Sequence, residues 1–250
     1  MSESINIKQF EQISLNAWPA LQTIFYDGWI LRFANGVTRR ANSIVPLFES
    51  SLDIGEKIAT CEDVYREHNL PVLYKMTTSV SPLNLDSILN DRGYEYQDET
   101  SLQVLPIKNG NYIGSAAIEI REKFDGAWLA QYGKFNDYDK NKLVERTKIY
   151  EQIRHKCCYL NLLCENNCVG CGLGVLEKTF LGIFDIVVMP GFRKNGFGRM
   201  IVDSLLDWGK KNGAMTAYLE VFVDNLPALS LYRKMGFKEK YKYWYRVKQY

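Results

Sequence analysis

A glycine-rich turn between an apolar strand pattern and a helix pattern, at residues 188–198, constrains this chain more than any other feature. Before the turn, Phe180–Val188 is rich in β-branched and aromatic residues, which predicts a buried strand. After it, apolar residues recur at helical spacing, at Ile201, Leu205 and Trp208. Glycines let backbone N–H groups approach an anion at the positive end of a helix. We therefore expect this turn to bind phosphate.

The order of glycines and basic residues within the turn distinguishes between phosphate ligands. The turn contains Arg-x-x-Gly-x-Gly, written out as Arg193-Lys194-Asn195-Gly196-Phe197-Gly198. Neither the P-loop string Gly-x-x-x-x-Gly-Lys-Ser/Thr nor the dinucleotide fingerprint Gly-x-Gly-x-x-Gly occurs in the sequence. The turn resembles the pyrophosphate loop of the GNAT superfamily, the N-acyltransferases that depend on acetyl-coenzyme A.

A second motif follows the first. Met215–Val223 has the composition of a strand, and Asn225 with Pro227 is typical of a helix start. The predicted helix, Ala228–Met235, ends at Gly236. Strand, helix and glycine together resemble the second GNAT motif, in the family's order and at about its distance from the first.

The resemblance implies a fold and an activity. The fold is α/β (α+β), with a mixed central sheet flanked by helices, and the activity is acetyl-coenzyme A-dependent N-acetyl transfer to a primary amine. The chemistry requires a deprotonated amine, a positioned thioester, a stabilised oxyanion and a proton for the leaving thiolate. A non-catalytic module that binds or senses acyl-coenzyme A is the alternative, since the same loop serves both functions.

The resemblance also assigns residues to these tasks. Coenzyme contacts fall on Ile186, Val187, Val188, Arg193, Lys194, Asn195, Gly196, Phe197, Gly198 and Asn225. Tyr232 matches the general acid that protonates the coenzyme sulfur; its alternative is a core aromatic residue of an amphipathic helix. For the general base, Glu220 is the first candidate, followed by Asp185 and by a water chain without a single base.

The front half of the chain repeats the pattern of the back half. When Gly93-Tyr94 is aligned with Gly236-Phe237, both halves show strand, helix, strand, helix, glycine-aromatic pair and strand. Opposite the Arg-x-x-Gly-x-Gly loop, the front half has Ser50–Gly55, with one glycine, no basic residue and an aspartate that repels phosphate. The sequence thus predicts a tandem: a degenerate GNAT-like half at 1–108, either a scaffold or part of the acceptor pocket, and an acetyltransferase domain at 112–250.

Five cysteines cluster within a short segment. Cys164-x-x-x-Cys168-x-x-Cys171 matches the spacing that radical enzymes use for an iron–sulfur cluster. The other interpretation is a β-hairpin with buried free thiols, with strands at Cys157–Cys164 and Cys168–Leu176 and a turn at Asn166-Asn167. We favour the hairpin and predict no metal, since reduced thiols fit a cytoplasmic protein.

Composition limits the partners. The net charge of +2 over 250 residues gives no reason to expect nucleic acid or a membrane surface as a partner. No apolar run of about eighteen residues occurs, so we expect no membrane span and a cytoplasmic location. The predicted partner is a small-molecule or peptide amine, and the predicted state is a monomer or homodimer; neither is specified further.

Overall fold

The computed structural model describes residues 7–107 and 118–249. In chain order, the elements are α1 (Ile7–Ala17), β1 (Gln22–Tyr26), β2 (Trp29–Phe33), β3 (Ile44–Val45), α2 (Ile54–Glu67), β4 (Val72–Met76), α3 (Leu85–Asp91), β5 (Glu95–Pro106), β6 (Ile118–Arg121), α4 (Gly126–Phe135), α5 (Lys140–Gln152), β7 (Lys156–Cys164), β8 (Asn167–Glu177), β9 (Phe180–Val188), α6 (Phe197–Lys211), β10 (Thr216–Phe222), α7 (Leu226–Met235) and β11 (Lys238–Lys248).

These elements form two compact units. The first unit contains the chain up to Ser101 and again from Tyr241 onward. Its strands follow the order β1-β2-β3-β4-β11, in which β3 and β4 are parallel and the other neighbours are antiparallel. α2 and α3 contribute to a core that includes the fully buried rings of Trp29, Tyr65 and Tyr74.

The second unit is Leu102–Lys240. Its strands follow the order β10-β9-β8-β7-β6, in which β10 and β9 are parallel and the others antiparallel. α6 packs on the face of β8 that carries Gly172, where a Cβ would lie 2.6 Å from Ile201 Cγ2. α4 lies on the opposite face, so helices flank a mixed sheet. The predicted α/β class is confirmed.

The predicted repeat of elements occurs in both units. The first unit has β3, α2, β4 and α3 before Gly93, and the second has β9, α6, β10 and α7 before Gly236. Both glycines have a left-handed backbone, with φ of +79° and +94°, which a side chain disfavours. In each case, the first and second strands of the repeat are parallel neighbours.

The domain limits 1–108 and 112–250 stay a prediction. Residues 108–111, where we expect the boundary, lie outside the described part of the chain. The compact units differ from the predicted limits at two points, because β5 from Leu102 onward groups with the second unit and β11 from Tyr241 onward groups with the first. Within the described residues, no helix is long and apolar enough to cross a bilayer.

Candidate active site

The predicted phosphate turn connects β9 to α6. Gly196 occupies the N-cap of α6 with a φ of +81°, and a Cβ there would meet no atom of the described chain within 4 Å. No side chain of the described residues caps this helix, so its first N–H groups lack the usual side-chain acceptor. Gly198 packs closely, since a Cβ there would lie 3.4 Å from Leu231 Cδ2. The turn therefore offers open space in front of an uncapped helix end.

The basic residues of the turn are exposed. Arg193, Lys194 and Asn195 all face solvent, and Lys194 has a left-handed backbone with φ of +64°. Arg193 Nε donates a hydrogen bond to the carbonyl of Val188 over 3.1 Å, which ties the turn to the end of β9. Two positive charges thus lie beside the N-terminus of α6.

The parallel strands β9 and β10 pair over only part of their length. Phe180–Ile183 pairs with Thr216–Leu219, whereas β9 continues to Val188 and β10 to Phe222. After Ile183 in β9 and Leu219 in β10, the two strands are no longer paired with each other. Ile186, Val187 and Val188 lie on this end of β9, directly before the turn, where Val187 and Val188 pair with β8 but not with β10. The divergence gives their backbone groups an edge that a ligand can reach.

A β-bulge interrupts the regular pairing of β9 with β8 near the end of β9. Between Cys171 and Leu173, β8 advances by two residues while β9 advances by three, from Phe184 to Val187. Asp185 lies in the bulge with a left-handed φ of +51°. A non-glycine residue in this region needs support from its surroundings.

Arg146 and Tyr150 of α5 supply that support. Arg146 Nη2 donates to Asp185 Oδ1 over 3.1 Å, and the Tyr150 hydroxyl donates to Asp185 Oδ2 over 2.6 Å. Arg146 Nη2 also donates to the Tyr150 hydroxyl over 2.8 Å. The Arg146 and Asp185 side chains are only 5% and 4% exposed. We call these three residues the Asp185 cluster.

Burial opposes the charge on Arg146, but Asp185 and the surrounding tyrosines favour it more strongly, so the pKa of Arg146 is raised. Burial, and to a smaller extent the nearby charge of Asp185, raises the pKa of Tyr150 well above its ordinary value. Tyr150 therefore stays protonated and donates its hydrogen bond. Arg146 is not among the site residues predicted from the sequence. The signal was present, because Arg146 and Tyr150 are four residues apart on a helix and Asp185 interrupts an apolar strand.

α7 carries two of the predicted site residues. The Asn225 side chain accepts a hydrogen bond from Ala228 N over 3.2 Å and so caps the helix. Tyr232 is only 8% exposed, and its ring meets that of Phe237 edge-on at a centroid distance of 5.8 Å. The Tyr232 hydroxyl has no hydrogen-bond partner among the described residues. Its oxygen is not completely buried, so part of it remains accessible to solvent. Burial raises the pKa of Tyr232 to about 12.

The two candidate bases differ in their surroundings. Glu220 is half-buried on β10, and strand alternation places it on the face opposite Leu219 and Val221, which pack in the core with Tyr232. Asp185 is enclosed, and both of its carboxylate oxygens accept hydrogen bonds. The geometry favours a structural role for Asp185 and leaves Glu220 as the more accessible carboxylate.

A cavity of about 250 Å³ lies on β6, β7 and β8, away from the divergence of β9 and β10. Its lining includes Glu119, Asn161 and Cys168. The predicted hairpin of β7 and β8 is present, but its turn is Glu165-Asn166, both with left-handed φ, and not Asn166-Asn167, because Asn167 already pairs with Cys164 as the first residue of β8. In the part of the chain that the structure describes, no three His, Cys, Asp or Glu side chains are grouped to hold a metal.

The strand, phosphate turn, helix and diverging parallel strand define a GNAT-type acyltransferase, and comparisons with known proteins agree. A family model described as "Probable histone acetyltransferase Rv0428c C-terminal" matches residues 4–246, and the chain belongs to this family of GNAT N-acetyltransferases. An uncharacterised N-acetyltransferase of Bacillus subtilis, YobR, is 26% identical over 248 residues, which is 98% of this chain and 99% of that protein. The predicted family and the predicted enzyme class are confirmed.

Shorter and more distant relatives agree on the type. A [ribosomal protein bS18]-alanine N-acetyltransferase of Salmonella typhimurium is 40% identical over 65 residues, or 26% of this chain and 43% of that protein. Among solved structures, a GCN5-related N-acetyltransferase from Kribbella flavida superposes with a TM-score of 0.72 at 10% identity, covering 98% of this chain and 97% of that one. A tandem GNAT protein from the clavulanic acid biosynthesis pathway gives a TM-score of 0.62 at 9% identity, covering 77% and 69%. These structures share the fold.

Proposed function

We propose that this enzyme transfers an acetyl or other short acyl group from acetyl-coenzyme A to a primary amine. The observation that carries the proposal is the open, uncapped N-terminus of α6 at Gly196, next to the divergence of β9 and β10. This arrangement fits a pyrophosphate followed by an extended arm, because it offers backbone N–H groups, positive charge and a free strand edge.

Each part of the site has a role in this proposal. Arg193–Gly198 holds the pyrophosphate, while the backbone of Ile186, Val187 and Val188 orients the arm along β9, with Asn225 contacting it from α7. Acetyl-coenzyme A, when bound, supplies the thioester. Tyr232 donates a proton to the leaving sulfur. Burial raises the pKa of Tyr232 to about 12, so the hydroxyl is protonated at neutral pH and has a proton to give. Glu220 accepts a proton from the amine, directly or through water.

The acceptor is proposed as a primary amine of a small molecule or a peptide. The named relatives support this range, since one acts on the alanine of a ribosomal protein and a streptothricin acetyltransferase is 44% identical over 57 residues, or 23% of this chain and 30% of that protein. The cytoplasmic location, the monomeric or homodimeric state and the lack of nucleic-acid or membrane partners stay predictions from the sequence.

Release of free coenzyme thiol tests the proposal. Purified enzyme is incubated with acetyl-coenzyme A and a panel of amines: peptides with different N-terminal residues, lysine derivatives, aminoglycosides and polyamines. We expect at least one amine to raise thiol release well above the rate without amine, and mass spectrometry to show the acetylated product. Tight coenzyme binding with no turnover on a broad panel would instead support the sensing alternative.

A further inference from the structure

Two cysteines that acetyl transfer does not use lie side by side in β8. The Sγ atoms of Cys168 and Cys171 are 4.0 Å apart. In a regular strand, residues three apart point to opposite faces, so such a contact is not expected. Here β8 has one extra residue opposite the step from Leu162 to Leu163, which makes Val169 a bulge. The bulge brings both thiols to one face.

The two thiols differ in access. Cys168 is half-buried and lines the cavity of about 250 Å³ beside Asn161. Cys171 is fully buried, and its single S–H can donate either to Asn161 Oδ1 at 3.5 Å or to Cys168 Sγ at 4.0 Å. The hydrogen bond from Cys171 lowers the pKa of Cys168, and the same contact, together with burial, raises the pKa of Cys171. A small reagent that enters the cavity thus meets the thiol that ionises more easily, with the second thiol directly behind it.

We propose that Cys168 and Cys171 form a thiol-modification site that exchanges with small disulfides, such as glutathione disulfide. The Cys168 thiolate attacks one sulfur of the reagent, the reagent's S–S bond breaks, and one glutathione thiolate leaves. Cys171 then loses its proton to water and attacks Cys168 Sγ, which releases the second glutathione thiolate. The protein dithiol is oxidised to a disulfide, and the reagent is reduced to two thiols. The reaction requires the sulfurs to close from 4.0 Å to a bond length of about 2 Å.

The sequence allows the Cys168–Cys171 disulfide to be detected in a single peptide. Cleavage after Glu165 and Glu177 isolates residues 166–177, which contain Cys168 and Cys171 and no other cysteine. The folded enzyme is treated anaerobically with glutathione disulfide, alkylated, cleaved and analysed by mass spectrometry. We expect this peptide to lose two hydrogens and to escape alkylation, while half-buried Cys164 is alkylated. Dithiothreitol should restore both thiols.

Three variants assign the steps. Cys171→Ser should stop the reaction with one glutathione on Cys168, Cys168→Ser should leave Cys171 reduced, and Cys164→Ser should form the disulfide as the unsubstituted enzyme does. The result on the unsubstituted enzyme decides the proposal even if a variant does not fold. In the unsubstituted enzyme, three results would overturn the proposal: glutathione that stays attached to Cys168, preferential reaction of Cys164, or no reaction of Cys168 and Cys171.

Discussion

Tyr232 combines a buried ring with a hydroxyl that has no partner among the described residues, which suits a proton donor to a bound sulfur. We expect Tyr232→Phe to lower kcat by about 10²-fold, the usual scale for a lost general acid. Coenzyme affinity should change little because the ring contact with Phe237 remains. Steady-state kinetics and calorimetry measure the two effects. Tyr94→Phe, which removes a buried hydroxyl from the first unit, is the control. Near-normal turnover of Tyr232→Phe would make Tyr232 a core aromatic residue.

The Asp185 side chain is predicted to stabilise the folded enzyme. Asp185→Asn keeps the shape and tolerates the left-handed backbone, but it leaves the Arg146 charge buried without a counter-charge. We expect the free energy of unfolding to fall by about 3 kcal/mol, measured by urea denaturation. Lys148→Met is the control, because it removes the more exposed salt bridge between Lys148 and Glu145 on the same helix. We expect it to lower the free energy of unfolding by less than about 1 kcal/mol. Equal effects of the two substitutions would contradict a structural role for the Asp185 cluster.

At the scale of elements, the turn into α6 carries the sharpest prediction. Gly196→Asp puts a negative side chain where phosphate is expected, and we predict at least a tenfold loss of acetyl-coenzyme A affinity, or about 1.4 kcal/mol. Gly213→Asp is the matched control, because Gly213 follows the other end of α6, also has a left-handed φ, and has similar open space. Calorimetry should show an effect for the first substitution only. Unchanged affinity in folded Gly196→Asp would exclude the turn as the phosphate site.

The elements also show what sequence patterns can and cannot predict. The order of strands and helices around the turn, the Asn225 cap and the β7–β8 hairpin follow from local composition and turn residues, and the structure contains them. The sequence marks Asp185 as an interruption of an apolar strand, but it does not show the bulge, because the contacts that support the bulge come from α5, far away in sequence.

From the sequence alone, the aromatic residues of β11 fit either a pocket wall or core packing. In the structure, Tyr241 and Tyr243 are buried in the first unit, where the Tyr241 hydroxyl donates to Glu11 over 2.6 Å and Lys75 lies 4.0 Å from the Tyr243 ring centroid. Periodicity predicts that a strand is half-buried, but it does not specify which unit the strand joins.

Across the whole molecule, the two units carry equivalent helices with different N-caps. α6 begins at Gly196, and α2 begins after Asp53, which the repeat aligns with Gly196. The Asp53 carboxylate accepts hydrogen bonds from Gly55 N over 2.8 Å and Glu56 N over 3.0 Å. The helix end that we propose as the phosphate site in one unit therefore already holds an anion of its own in the other.

We therefore predict that the chain binds one acetyl-coenzyme A, and that calorimetric titration gives a stoichiometry of one. Gly196→Asp should abolish this binding or weaken it at least tenfold, because it gives α6 the cap residue that α2 has. Asp53→Asn should leave both affinity and stoichiometry unchanged, because asparagine still caps the helix and the turn before α2 lacks the second glycine and the basic residues. A stoichiometry of two, or binding that survives Gly196→Asp and is lost in Asp53→Asn, would place a working coenzyme site in the first unit.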